Sequence, residues 1–192
     1  TGFADIGTID PCWRRDNTVN MSWKGGPAPF LPFNTGPAVD HTDGTSTGKY
    51  VFADAIGFNV GNPRETNLWS EAINITSLTN PQLSFWYHMF GQEIIRLEVY
   101  VSDNGVNWTQ ELTLSGQKQN AKADPWKEAI VPLTSYGDTI QIRFKAVGST
   151  TGIASDIALD DINVDEAPAC PKPQNLSVTT TTNSSITIDW TG

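Results

Sequence analysis

The sequence predicts an all-β fold, an antiparallel β-sandwich of jelly-roll type, and three observations carry that reading. Apolar side chains recur at every second position in several stretches, the period of a strand with one buried face. Turn clusters drawn from 16 glycines and 12 prolines separate those stretches. No stretch shows the 3.6-residue apolar period of an amphipathic helix. Many short strands between turn clusters are what a two-sheet sandwich requires.

In chain order, Gly25-Gly26-Pro27 and Asn62-Pro63 are expected to punctuate the first third of the chain. Leu83, Phe85, Tyr87 and Met89 then alternate, and Trp86 and Phe90 make the second face apolar too, which suggests a central strand. Ile95, Leu97, Val99 and Val101 share one face, with Arg96, Glu98 and Tyr100 on the other. Asp103-Asn104-Gly105 turns that strand toward the next, which holds Trp108, because Asn-Gly supplies the positive φ of a tight hairpin. After a turn at Tyr136-Gly137-Asp138, the row Ile140, Ile142, Phe144 and Ala146 alternates with Gln141, Arg143 and Lys145.

The 192 residues suffice for one well-cored domain, read as residues 1–166. Residues 167–173 form a Pro-rich linker. Residues 174–192 hold two further strands and a turn, too little to close a core, so the chain reads as cut inside a second domain. No apolar run is long enough to span a bilayer, which excludes membrane insertion by a helix. The chain opens without a basic and apolar leader, so a secreted protein would already have lost it. A net charge of −9 disfavours nucleic acid as a partner, since binding there depends on Lys and Arg displacing counterions.

Cys12 and Cys170 flank the main domain. They are expected either to form a disulfide, if the first and last strands lie side by side, or to be two buried thiols. A bridge closing so long a loop would stabilise by about 4–5 kcal/mol on the chain-entropy model.

Catalytic signatures are scarce: there is no His-Glu-x-x-His, and the only histidines are His41 and His88. His88 reads as a packed, hydrogen-bonded histidine. The chain is therefore expected to be a secreted binding module and not an enzyme.

Four stretches then carry a resemblance. They are Asp40-His41-Thr42 running to Gly48-Lys49-Tyr50-Val51, Leu83 to Gly91, Leu97 to Val101, and Ile157 to Ile162, with Phe3 to Trp13 as an opening segment. Together they resemble a MAM domain, the extracellular jelly-roll module named after meprin, the A5 antigen and receptor phosphatase mu. Residues 171–192 are similar to the start of a fibronectin type III domain, ending at Trp190. Animal MAM domains carry four cysteines, one just before the Ser-Phe-Trp-Tyr run. Here that region is Pro81-Gln82-Leu83, so the animal disulfide scheme does not transfer. Cysteine-poor versions followed by fibronectin type III modules resemble parts of secreted bacterial enzymes and adhesins.

The strand from Ile157 to Val164 poses a problem of phase. Asp161 is in step with Ile157 and Leu159, and Asp160 with Ile162 and Val164, so one carboxylate falls on an apolar face. A buried carboxylate needs a partner. The expectation is a structural Ca²⁺ held by Asp160, Asp161, Asp40 and Asp43, with Asp5 nearby. The resemblance implies such a cation near the first and last strands. The alternative is that backbone amides satisfy these carboxylates.

Seven tryptophans mark the third signal. Trp86, Trp190 and Trp13 are expected in the core. Trp23, Trp69, Trp108 and Trp126 sit in polar or Gly/Pro-rich surroundings, where exposed rings beside polar groups suit sugars. Arg14, Arg15 and Lys24, with Trp23, Phe30 and Phe33, form the best candidate patch for a sulfated or uronic acid sugar. The leading expectation is a carbohydrate-binding module of a secreted bacterial polysaccharide-processing enzyme, covalently linked to neighbouring domains of that parent. The alternatives are an extracellular protein–protein adhesion module and an inert spacer.

Overall fold

A computed structural model of the chain describes residues 12–16, 21–27, 34–55, 64–150, 152, 154–170 and 174–191. Among the described residues every element is a β-strand, and every pairing is antiparallel. Sheet 1 runs β1 (Trp13–Arg15), β4 (Arg64–Ser70), β10 (Thr139–Gly148), β7 (Ile94–Ser102) and β8 (Thr109–Ser115), with β5 (Ile73–Asn74) also pairing β10. Sheet 2 runs β2 (Met21–Pro27), β3 (Lys49–Ala55), β11 (Ile157–Glu166), β6 (Pro81–Met89) and β9 (Lys127–Pro132). The chain passes repeatedly from one sheet to the other, which places sequence neighbours on opposite sides of a shared core.

That core is built from the alternating rows. Leu97, Val99 and Val101 of β7 meet Ile140, Ile142 and Phe144 of β10, and sheet 2 contributes Val51, Leu83, Phe85, Met89, Ile157 and Leu159. Phe85 and Phe144 lock the two sheets edge to face with ring centroids 5.1 Å apart. Strand β6 is interior to its sheet, as its two apolar faces require.

Two turn assignments need revision. Gly25-Gly26-Pro27 is the end of β2, paired with Val51, Tyr50 and Lys49 of β3, and Asn62-Pro63 lies outside the described residues. The Asn104-Gly105 turn is present, with Gly105 at φ +70°. It opens a wider loop, however, in which the Asn104 side chain accepts the N–H groups of Val106 and Asn107, and Trp108 precedes β8.

The structure does not join Cys12 to Cys170; both are exposed, which also contradicts buried thiols. Among the described strands the first and last of the sandwich are not adjacent, because β1 is an edge of sheet 1 while β11 is central in sheet 2. Beyond the sandwich, β12 (Gln174–Thr181) and β13 (Ile186–Thr191) make a separate hairpin that leaves Val178, Ile186 and Ile188 exposed.

Candidate functional site

Two outer faces gather the chemistry-bearing residues. On sheet 2, Tyr50, Phe52, Ala158 and Trp126 form a second small core outside the sheet, with Trp86 packed against it. The segments around residues 34–48 and 117–126 cover it. Trp126 donates its indole N–H to the Val39 carbonyl at 3.0 Å, and the amide of Gln119 reaches the backbone of Met89 and Tyr87. His88 is fully buried edge-on to Trp126, with the backbone of Ala121 and Asp124 beside its ring.

At the edge of this cover lies a hollow of about 680 Å³ lined by Asp40, Asp43, Asp160 and Asp161, together with Gly48 and Asn163. The phase problem in β11 is solved here by a β-bulge. The register against β6 slips between Asp160 and Asn163, and Asp161 adopts φ 45°. Ile157 and Leu159 face inward before the bulge, and Ile162 and Val164 pack inward after it. Both carboxylates are thereby kept off the main core.

The carboxylates of Asp40, Asp160 and Asp161 have protein partners. Asp40 accepts the N–H groups of Asp43 and Thr45, both at 2.9 Å, and Asp160 accepts those of His41 and Asp161, also at 2.9 Å. Asp161 accepts from the Thr42 hydroxyl at 2.7 Å and meets His41 Nδ1 at 2.6 Å. His41 in turn stacks on Trp86 at 3.8 Å. Burial pushes the Asp160 carboxyl above its usual range, against the two amides. Burial also acts on Asp161, but the hydrogen bonds from Thr42 and His41 outweigh it and hold that carboxyl low. A side chain at Gly48 would strike the Asp40 carboxylate, its Cβ 2.0 Å from Cγ, so glycine is required where this loop folds back on Asp40 just before β3.

The four expected ligands that can be placed line the same hollow, and Asp5 lies outside the described residues. Their chemistry suits a hard cation, being all oxygen, and each carboxylate oxygen keeps a further lone pair. Among the described residues, though, no three acidic, imidazole or thiol groups converge as a metal cage by themselves.

The second face is the outside of sheet 1. The registers place Arg14, Trp69, Arg143, Tyr100 and Gln110 side by side across five strands. At ordinary strand spacing this row is roughly 19 Å long. Trp69 and Trp108 are half-buried. The Arg143 guanidinium lies 4.2 Å from the centre of the Tyr100 ring and 4.8 Å from that of Trp108.

The remaining sugar-site candidates are elsewhere. Trp23 is fully buried in the main core and donates its indole N–H to the Thr66 carbonyl at 3.3 Å. Trp126 is 8% exposed and belongs to the second core. Arg15 donates to the Trp23 carbonyl, and Lys24 pairs with Asp54 at 2.5 Å on the outside of sheet 2. The basic patch expected of Arg14, Arg15 and Lys24 is thus divided between two sheets, and Phe30 and Phe33 lie outside the described residues. Trp13 packs on the main core as expected, whereas Trp86 belongs to the outer cluster. Sequence reading missed Arg143, Tyr100 and Gln110; the polar phase of their strands was visible, but its alignment with Trp69 was not.

Comparison with known proteins fixes the family. The profile of the MAM domain, meprin/A5/mu, matches residues 5–171. The chain belongs to the MAM family. Human MAM domain-containing glycosylphosphatidylinositol anchor protein 1 is 33% identical over 180 residues, which is 90% of this chain and 17% of that protein. The MAM chain thus spans about a sixth of the curated relatives it matches. Among solved structures, the K1 cleaved adhesin domain of Lys-gingipain from Porphyromonas gingivalis W83 superposes with a TM-score of 0.57 at 16% identity. That match covers 88% of this chain and 97% of the adhesin domain. TmCBM61, solved in complex with beta-1,4-galactotriose, gives 0.51 at 13% identity, covering 81% of this chain and 89% of that one. At such identities these likenesses show the fold alone.

Proposed function

We propose that this MAM domain is a non-catalytic, extracellular glycan-recognition module that holds a larger secreted protein on a polysaccharide, with the outside of sheet 1 as its ligand face. The observation that carries the reading is the transverse row Arg14–Trp69–Arg143–Tyr100–Gln110, flanked by Trp108. Sugar rings present C–H groups that stack on aromatic faces, and their hydroxyls need donors and acceptors placed beside those rings. This face offers both on rigid strands, so little ordering is required on binding. The galactotriose-bound neighbour and the adhesin neighbour, which share the fold, support the same reading.

The test is affinity electrophoresis through a panel of polysaccharides, followed by Trp69→Ala and Trp108→Ala on any polymer that retards the wild type. Each variant is expected to lose at least about tenfold in affinity, in line with the loss of an aromatic anchor at a binding hot spot, while still melting cooperatively. Retention on no polymer would sink the reading. A protein-adhesion role is the second reading, favoured by the identity to membrane-anchored MAM proteins. Concentration-dependent self-association in sedimentation, without polysaccharide binding, would support it instead.

The cation remains a proposal beside this one. Asp40 and Asp160 are almost fully buried carboxylates in one hollow, with Asp161 adding charge at its rim. A Ca²⁺ held by these oxygens would relieve that repulsion. Chelation is then expected to lower Tm by several degrees and calcium to restore it, as mass action requires of a ligand bound only by the folded state. If backbone amides suffice, chelation leaves Tm unchanged.

A further inference from the structure

Four cations point outward from sheet 1, and three are already matched. Arg14 pairs with Glu71 at 3.1 Å, Arg96 with Glu98 at 2.8 Å, and Lys145 with Glu65 at 2.8 Å. Arg143 is the exception: no carboxylate among the described residues forms an ion pair with it. Its guanidinium instead lies over the rings of Tyr100 and Trp108, and its Nε is buried without a hydrogen-bond partner.

Resting on the glycan-face reading above, we propose that Arg143 is the specificity-determining anchor for an acidic group of the ligand, a uronate carboxylate or a sulfate ester. Ring stacking attracts a cation but does not neutralise it. What it does is hold the planar fork in one orientation, so that two parallel N–H donors meet an oxyanion with little rotamer freedom left to lose. A neutral sugar hydroxyl supplies no compensating charge. The half-buried setting also weakens competition from water, which strengthens a charge-assisted bond. The overall charge of −9 does not oppose this, because fields of exposed groups beyond roughly 8 Å are screened at physiological salt. The neighbouring carboxylates Glu71, Glu98 and Glu65 each have a cation of their own.

The test runs the 192-residue chain, as wild type, Arg143→Gln and Arg143→Lys, through gels containing polygalacturonate, sulfated carrageenan, neutral galactan or neutral agarose. Retardation is measured against a polymer-free gel, which removes the effect of altered mobility. The wild type is expected to be retarded more by an acidic polymer than by the neutral ones. Polygalacturonate alone identifies a carboxylate, and carrageenan alone a sulfate. Arg143→Gln should lose at least tenfold in affinity for the acidic polymer. Arg143→Lys, which keeps the charge without the fork, should recover only part of it and serves as the readout if the glutamine variant fails to fold. Equal retardation of wild type and both variants, or retention on neutral polymers only, overturns the role of Arg143 and leaves the glycan face standing. Retention on none of the four polymers or any other in the wider panel removes both.

Discussion

Trp23→Ala is expected to cost roughly 3–5 kcal/mol of stability, the range for deleting a large aromatic from a close-packed core. Trp23 has no exposed surface, contacts the inner residues of both sheets, and gives its indole N–H to the Thr66 carbonyl. Truncation leaves a cavity between β2 and β4 and removes a buried hydrogen bond. Urea denaturation should show a midpoint shifted far down with an unchanged slope, since the area exposed on unfolding changes little. Trp69→Ala is the contrast: its ring lies on the outer face, so the same measurement should move by a third of that or less. A near-neutral Trp23→Ala would mean that β2 is not seated on the core as described.

The two tryptophans show what the sequence discloses and what it does not. Both sit among polar residues, and local composition treats them alike. Trp23 is nevertheless flanked by Met21 at the i−2 position, and in a strand that period of two is the only local hint of an inward face. Glycines after it masked the strand as a turn, because Gly25 and Gly26 read as breakers, whereas here they pair with Val51 and Tyr50. The long alternating strands β6, β7 and β10 were legible because burial on one face imposes that pattern directly, but the start of β7 was misread: Ile95 is exposed and Ile94 is the core residue. The carboxylate hollow was half legible. A phase slip within Ile157 to Val164 signalled an irregularity, but the same slip is compatible with a buried ion or with a bulge, and the structure has the bulge. The sheet 1 face was least legible. Arg14, Trp69, Arg143 and Tyr100 are far apart in sequence, and only strand order and register make them neighbours.

Asp156 sets the second large effect, a pH dependence of stability. Its side chain is fully buried, and Oδ2 accepts the Thr35 hydroxyl. Burial, helped by the nearby Asp54 charge, pushes its pKa up to about 7 from 3.8. Between those two values the folded state keeps a proton that the unfolded state has released, so stability falls as pH rises through the window. At 1.36 kcal/mol per unit the full loss is on the order of 4 kcal/mol above pH 7. His88 acts in the opposite sense. Burial lowers it to about 4 from 6.5, so the unfolded state takes up the extra proton and stability falls as pH drops through that range. The two slopes cancel across most of the weakly acidic region, and the wild-type profile conceals both. Asp156→Asn uncovers them. Its stability relative to wild type should be near its minimum at pH 4 and rise steadily to a plateau above pH 7, with a gain of several kcal/mol between the ends. Its own profile should then decline from pH 6.5 toward 4, because His88 is no longer offset. Thermal unfolding of both proteins from pH 4 to 8 measures the difference directly. A gap that is the same at pH 4.5 and pH 8 would show that Asp156 is ionised throughout, and that a cationic or amide partner compensates its charge in the folded state.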